Sequence, residues 1–158
     1  MIHNFYPGPS TLHPYFEEAI QTAISSGILS INHRSTAFSS LYKQCFETIQ
    51  QKWDIPENYK LLFVSSATET WEIIAQSLIA EEESLHIYNG AFGKKSFDVA
   101  NKLTPKAKPF EFPFDMAFNV DNLDEFPFFN ICQNETSNGT AVSNNTIKVI
   151  KERFPKSI

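Results

Sequence analysis

The most informative stretch of this chain is Leu61-Leu62-Phe63-Val64-Ser65-Ser66-Ala67-Thr68-Glu69, in which an apolar run meets small polar residues directly before a pattern of helical spacing. The apolar run predicts a buried strand over residues 60–64. A strand that turns on small residues into a helix leaves unpaired backbone N–H groups at the helix N-terminus, and such groups attract anions. The turn is therefore a candidate phosphate cradle.

After this turn, helical and strand patterns alternate along the chain. Helices are predicted over residues 68–79, 91–103 and 143–154, and strands over 84–88, 108–112 and 126–132. Alternation of this kind requires crossover connections, which place helices on the faces of a parallel sheet. We therefore predict an α/β fold that has a mostly parallel sheet with helices on both faces.

Two helices precede the alternating region. The first is predicted to begin at Pro14 and to end at Gly27, and the second runs from about Ser35 to Trp53. The second helix carries an apolar stripe, which we expect to face a core. The stripe consists of Phe38, Leu41, Cys45, Phe46, Ile49 and Trp53.

Composition argues against several classes of partner. The net charge is −5 and only two of the 13 basic residues are arginine, so there is no basic stripe to hold a nucleic-acid backbone. No apolar run approaches the roughly 20 residues that span a bilayer, and Met1 to Pro7 lacks the pattern of an export signal. We expect a cytoplasmic protein that binds neither nucleic acid nor a membrane.

The two cysteines, Cys45 and Cys132, are each embedded in a hydrophobic pattern. Neither belongs to a CxxC or Cys/His spacing, so buried free thiols are favoured over a disulfide or a metal site. We expect no bound metal.

Residues suited to a ligand follow three predicted strands, in the runs 65–69, 89–93 and 133–139. Ligands of open parallel sheets bind beyond the carboxyl ends of the strands. A phosphate cradle, the aromatic ring of Phe92 and a polar edge around Thr136 together suit a flat phosphorylated cofactor. Each piece also has a simpler interpretation, since Phe92 could be a core residue, Asn138-Gly139 a turn, and Thr136 a backbone cap.

Several motifs resemble those of phosphoserine aminotransferases, in the same order and over nearly the whole chain. They are Asn4-Phe5-Tyr6-Pro7-Gly8-Pro9, Asn32-His33-Arg34-Ser35 with Phe38, the segment Asp54-Ile55-Pro56-Glu57-Asn58-Tyr59-Lys60-Leu61-Leu62-Phe63, and Asn134-Glu135-Thr136. The resemblance implies a fold-type I, class V enzyme that depends on pyridoxal phosphate and acts in serine biosynthesis.

The same resemblance implies roles for particular residues. The backbone N–H groups around Ala67, Thr68 and Glu69 would hold the cofactor phosphate, and Glu69 would contribute its amide rather than its carboxylate. Phe92 would stack on the pyridine ring, where the family usually has Trp. Thr136 would bond the phenolic oxygen of the cofactor.

His33 and Arg34 would bind the substrate phosphate across the interface of a homodimer. A guanidinium is apt for this role because it is a permanently charged fork that matches phosphate oxygens. The implied substrates are small molecules, an amino acid and a 2-oxo acid.

No residue of this chain corresponds to the family's catalytic lysine. The resemblance implies that this Schiff-base lysine, and the aspartate that pairs with the pyridine nitrogen, lie beyond Ile158. We therefore expect residues 1–55 to be an N-terminal arm with helices, and residues 56–158 to be the first part of the cofactor-binding large domain of a truncated chain. These 158 residues alone should not transaminate.

Two motifs leave other functions open. The run Ser65 to Glu69 also resembles the Ser-Gly-Ala-Thr-Glu of cysteine desulfurases, and the run Glu135 to Gly139 resembles the Glu-Thr-Ser-x-Gly of alanine-glyoxylate aminotransferases. The alternatives are therefore another class V enzyme, or a non-enzymatic module that binds a phosphorylated ligand or a partner chain.

Overall fold

The computed structural model describes residues 11–116 and 118–158. The predicted Asn4 to Pro9 motif lies outside the described residues. The chain divides into two compact units, Met1–Phe63 and Val64–Ile158, which we call the helical unit and the sheet unit.

The helical unit contains the two predicted helices. Helix α1 spans Phe16–Ser25, a 3-10 turn spans Ile28–Ser30, and α2 spans Thr36–Lys52. Gly27 follows α1 with a left-handed φ of 71°, a conformation that favours glycine. The Ser35 hydroxyl accepts a hydrogen bond from the Phe38 amide at 3.1 Å and caps α2. Both helix predictions are confirmed.

The prediction that the α2 stripe faces a core is wrong. None of the described side chains in the helical unit is buried, and Trp53 is 72% exposed. The predicted burial of Cys45 is also wrong, since this free thiol is exposed. Helical spacing identifies an apolar face, but full burial needs a second apolar layer that covers the whole face. In this unit residues 55–63 cover the stripe only in part, so Phe46 and Ile49 are half-buried.

The predicted strand over residues 60–64 is also wrong, because these residues belong to no β-ladder in the described structure. The Leu61 carbonyl instead accepts a hydrogen bond from the Tyr42 hydroxyl of α2. The Tyr42 and Phe63 rings meet edge to face at 5.8 Å. The segment packs through side chains, whereas a strand needs backbone partners.

The sheet unit has the predicted alternation of helices and strands. Its elements are α3 (Ala67–Ser77), β1 (Ser84–Tyr88), α4 (Ala91–Leu103), β2 (Ala107–Glu111), β3 (Phe128–Ile131), β4 (Asn134–Glu135), β5 (Thr140–Ala141) and α5 (Asn144–Arg153). Strands β2, β1 and β3 form a parallel sheet in that order, and β4 pairs with β5 in a short antiparallel hairpin. The hairpin was not predicted.

Helices cover both faces of the parallel sheet. On one face, Leu85 and Ile87 of β1 join a buried cluster with Ile150 and Phe154. On the other face, residues of α3 and α4, including Ala75 and Ala100, form a second cluster. All five residues of β1 are buried, as expected for a central parallel strand. The predicted fold class is confirmed.

No helix in the described ranges is long and apolar enough to cross a membrane. The backbone of Ile158 exchanges two hydrogen bonds with the start of β3, donating to Pro127 O at 3.0 Å and accepting from Phe129 N at 2.9 Å. This is the bonding pattern of a parallel bridge.

Candidate functional site

The carboxyl ends of β1 and β3 bring together two of the predicted ligand-binding runs. Gly90 and the start of α4 follow β1, and the β4–β5 hairpin follows β3. Because β1 and β3 are parallel neighbours, both runs emerge at the same edge of the sheet. Phe92 lies in the first turn of α4 with 46% of its surface exposed, and Thr136 is exposed in the hairpin turn.

The two runs are joined by the carboxylate of Glu135, which is only 1% exposed. Glu135 Oε2 accepts a hydrogen bond from Gly93 N at 2.9 Å, and Oε1 accepts one from Phe92 N at 3.3 Å. The same Oε1 accepts bonds from the amide and hydroxyl of Ser137, at 3.1 and 2.5 Å. The carboxylate thus caps α4, whose N-cap residue Gly90 has no side chain to do so.

Glycine at position 90 makes this close approach possible. A Cβ atom placed on Gly90 would lie 2.4 Å from Glu135 Cγ and 2.8 Å from Ser137 Oγ. Since real Cβ atoms do not approach other atoms so closely, any other residue at position 90 would push the hairpin away from α4.

A second network fixes the hairpin to the end of β1. Asn138 Nδ2 donates to the Asn89 carbonyl at 2.9 Å, and Asn89 Nδ2 donates to Thr140 Oγ1 at 2.9 Å. Asn138 Oδ1 in turn accepts from the amide and hydroxyl of Thr140. Asn138-Gly139 therefore forms part of a turn, and Gly139 has a φ of 76°. This agrees with the simpler interpretation of these two residues, which was a turn.

The pKa of the Glu135 carboxyl lies below its usual value. Burial raises this pKa, but hydrogen bonds from Ser137, Gly93 and Phe92 to the charged form outweigh that effect. Burial, and to a smaller extent the same carboxylate, raises the pKa of the Cys132 thiol to about 11. Cys132 is a half-buried free thiol, which the sequence predicted to be buried.

The N-terminus of α3 is the predicted phosphate cradle. The Ser66 hydroxyl caps the helix by accepting from the Glu69 amide at 3.2 Å. The Glu69 carboxylate accepts from the amide and hydroxyl of Ser65, at 2.7 and 2.6 Å, and these bonds lower its pKa. Among the described hydrogen bonds, the amides of Ala67 and Thr68 donate to no protein group.

This arrangement fits the phosphate of pyridoxal phosphate. Two adjacent backbone donors remain available at the positive end of a helix dipole, and Ala67 is exposed. The third predicted donor, the Glu69 amide, is engaged by Ser66.

His33 and Arg34 belong to the helical unit and lie in the turn before α2. Both residues are exposed. The Arg34 amide donates to Asn32 Oδ1 at 2.8 Å, whereas its guanidinium makes no hydrogen bond or ion pair among the described residues. The side chain is therefore available to an anion.

A cavity of about 440 Å³ lies beside the β4–β5 hairpin, and from the predicted ligand-binding runs Asn89 alone contributes to its walls. Asn89, Thr140 and Ser143 supply polar groups, and Phe112 and Phe118 supply apolar walls. Sequence reasoning missed this cavity because the loop that forms it follows no helical or strand period. It also gave no role to Glu135, although this residue lies in two of the motifs that resemble those of known aminotransferases.

Comparison with known proteins finds aminotransferases that are similar to this chain. It is 32% identical over 136 residues to the phosphoserine aminotransferase of Streptococcus thermophilus, covering 81% of this chain and 37% of that protein. It is 29% identical over 160 residues to the enzyme of Streptococcus uberis, covering 89% and 44%. The chain thus spans less than half the length of these curated relatives. No protein-family model matches it.

Solved structures give the same result. A phosphoserine aminotransferase from Cytophaga hutchinsonii matches 98% of this chain and 43% of its own, with a TM-score of 0.89 and 31% identity. An aspartate aminotransferase from Thermus thermophilus matches with a TM-score of 0.79 and 20% identity, over 97% of this chain and 43% of its own. A phosphoserine aminotransferase with bound pyridoxal phosphate, from Trichomonas vaginalis, matches with a TM-score of 0.72 and 22% identity, over 89% and 46%.

The predicted resemblance is therefore confirmed: this chain is similar in sequence to part of several phosphoserine aminotransferases, and it has the fold of the corresponding part of one of them.

Proposed function

We propose that this chain is part of a pyridoxal-phosphate-dependent aminotransferase that exchanges an amino group between phosphoserine and 2-oxoglutarate. The observation that carries this proposal is the pair of Ala67 and Thr68 amides, which face no protein acceptor at the exposed start of α3. The relatives and the matching structures support the same function, because those of 29–32% identity are phosphoserine aminotransferases.

Every proposed role except that of the Glu69 amide uses a group that is exposed or has no protein partner among the described residues. Ala67 and Thr68 bind the phosphate, and the Glu69 amide joins them by exchanging its Ser66 bond for a phosphate oxygen. Phe92 packs its half-exposed ring on the cofactor, and the Thr136 hydroxyl donates to the phenolic oxygen. When bound, pyridoxal phosphate supplies an electron sink for the substrate carbon that loses its proton.

His33 and Arg34 bind the phosphate of phosphoserine, in the homodimer that the resemblance implies. The Arg34 guanidinium is exposed and unpaired in the described part of the chain, so binding would break no existing ion pair. A bidentate guanidinium–phosphate contact also fixes the orientation of the substrate.

The residues of this chain bind and orient, and the proposed lysine that moves the substrate proton belongs to a longer polypeptide. Borohydride reduction of the 158-residue chain with pyridoxal phosphate, followed by peptide mapping, should therefore label no single lysine. One lysine labelled stoichiometrically would show that this chain carries the reactive amine itself.

The phosphate cradle is tested by proline at the first position of two helices. Ala67→Pro removes one donor but breaks no helical bond, and the extended Ser66 before it tolerates a following proline. The matched control is Thr36→Pro in α2, which also follows an extended N-cap serine. Loss of one charge-assisted bond should weaken pyridoxal phosphate binding about tenfold or more in Ala67→Pro and leave the control unchanged.

The substrate is tested by Arg34→Ala in the longer polypeptide. Loss of the guanidinium–phosphate contact should lower kcat/KM for phosphoserine by about ten- to a hundredfold. Activity on unphosphorylated serine or alanine should hardly change, because those substrates lack the phosphate. An equal loss on both kinds of substrate would reject the phosphate role and favour an enzyme of the alanine-glyoxylate type.

A further inference from the structure

We propose that Glu135 is a positioning residue, whose buried carboxylate holds the ring of Phe92 and the hydroxyl of Thr136 in a fixed mutual arrangement. The proposal rests on the proposed function, since it assigns the two positioned groups to one cofactor. It goes beyond that function because Glu135 itself touches neither substrate nor cofactor.

The bonding of the carboxylate carries the proposal. On one side it accepts the Phe92 and Gly93 amides, at 3.3 and 2.9 Å, and so fixes the backbone on which the Phe92 ring stands. On the other side it accepts the Ser137 amide at 3.1 Å, and so fixes the backbone directly after Thr136. One side chain therefore connects both predicted cofactor contacts.

The carboxylate has almost no freedom to move. Glu135 is 1% exposed, and the atoms around Gly90 leave no space for even a methyl group between α4 and this side chain. The Ser137 hydroxyl adds a second connection, since it donates to Glu135 Oε1 and accepts from the Ala91 amide at 3.0 Å. Three successive amides of α4, at residues 91–93, are thereby held by the hairpin.

The chemistry of the contacts requires a glutamate. All the groups that face its two oxygens donate hydrogen bonds, so a carboxylate satisfies each of them. Glutamine has the same shape, but its NH₂ group would face the Gly93 amide, donor against donor. Aspartate is one methylene shorter and would leave the amides of α4 unpaired.

The first test is hydrogen exchange in Glu135→Gln, measured by NMR without any ligand. We expect exchange at the Gly93 amide to accelerate about tenfold or more, while far-UV circular dichroism stays unchanged. Glu152→Gln, an exposed residue of α5, is the matched control and should leave these amides unaltered. Unchanged exchange at Gly93 in Glu135→Gln would overturn the proposal.

The second test separates positioning from general stability, using a double-mutant cycle read by pyridoxal phosphate titration. If Glu135 acts through Phe92 and Thr136, then Glu135→Gln should weaken binding in the wild type but have a smaller further effect in Phe92→Ala, where only Thr136 remains to be positioned. The control combination, Glu135→Gln with Ala67→Pro, should be additive, because the phosphate cradle lies on another helix. Additive effects in both combinations would reduce Glu135 to a structural role and overturn the proposal.

Failure of the proposed function gives a different result. If the longer polypeptide with the wild-type sequence does not bind pyridoxal phosphate, the proposed function fails. The positioning role of Glu135 toward that cofactor is then rejected as well. The exchange result at Gly93 would then report only a helix cap.

Discussion

The helical unit and the sheet unit both contain helices that begin at a capping serine, but the two units differ in burial. Ser35 caps α2, Ser66 caps α3 and Ser143 caps α5, each by accepting from the amide three residues later. In the sheet unit, β1 is buried along its whole length. In the helical unit, no described side chain is buried. Caps and spacing thus determine where helices form, and the number of packed layers determines whether their apolar faces are buried.

The largest expected contrast comes from removing the same side chain in both units. Ile87 is 1% exposed at the centre of β1, whereas Ile24 of α1 is 57% exposed. Ile87→Ala should lower the free energy of unfolding of the sheet unit by about 2–5 kcal/mol, because it leaves a cavity in a packed core. Ile24→Ala, in the helical unit, should change the free energy of unfolding of the sheet unit by less than about 0.5 kcal/mol.

Urea unfolding can follow the sheet unit alone through Trp71 of α3, in a Trp53→Phe background. Equal destabilisation by the two isoleucine substitutions would contradict the contrast in burial.

A smaller effect is expected from pH, through the buried His86 of β1. This side chain is 2% exposed, its Nδ1 has no hydrogen-bond partner in the described structure, and burial lowers its pKa to about 4. The His86 side chain binds a proton near pH 6.5 in the unfolded chain but only near pH 4 in the folded chain. Stability should therefore fall by about 3 kcal/mol as the pH drops through that window.

To isolate His86, the free energy of unfolding is measured against pH for the wild type and for His86→Leu, and the two curves are subtracted. The other groups titrate equally in both proteins, so their contributions cancel. His13→Gln is the control in the helical unit, where the imidazole is exposed. A difference that stays flat between pH 7 and pH 4 would show that His86 is not buried as a neutral group.

The smallest expected effects come from the helix caps. Ser143→Ala should destabilise the sheet unit by about 1 kcal/mol, because the Thr146 amide loses its acceptor at 3.0 Å. Ser35→Ala removes the equivalent bond in α2 but should leave the unfolding of the sheet unit unchanged. If Ser35→Ala shifts the urea unfolding transition followed through Trp71 as much as Ser143→Ala does, the two units unfold as one.

The sequence was sufficient for elements that local rules determine. The bounds of β1 and α4 agree with the prediction to the residue, because an apolar run ends at Asn89-Gly90 and a helical period follows at once. The parallel sheet followed from alternation, since crossover connections leave few other topologies.

Non-local features could not be predicted. The run 60–64 has strand composition, but whether it joins a ladder depends on a neighbouring strand that its own residues do not specify. Glu135 lies 42 residues from Gly93 in sequence, so no local pattern reveals that they share a hydrogen bond. Among the described residues, the α3 N-terminus could be predicted because local sequence determines it. The contact of Glu135 with α4 was missed because it joins residues that are distant in sequence.

The most direct measurement is a crystal structure of the protein with pyridoxal phosphate. A phosphate oxygen should lie about 2.7–3.2 Å from the backbone nitrogens of Ala67 and Thr68, with the pyridine ring against Phe92. A phosphate bound elsewhere, such as in the cavity between Asn89 and Ser143, with the α3 amides hydrated, would contradict the proposed cradle.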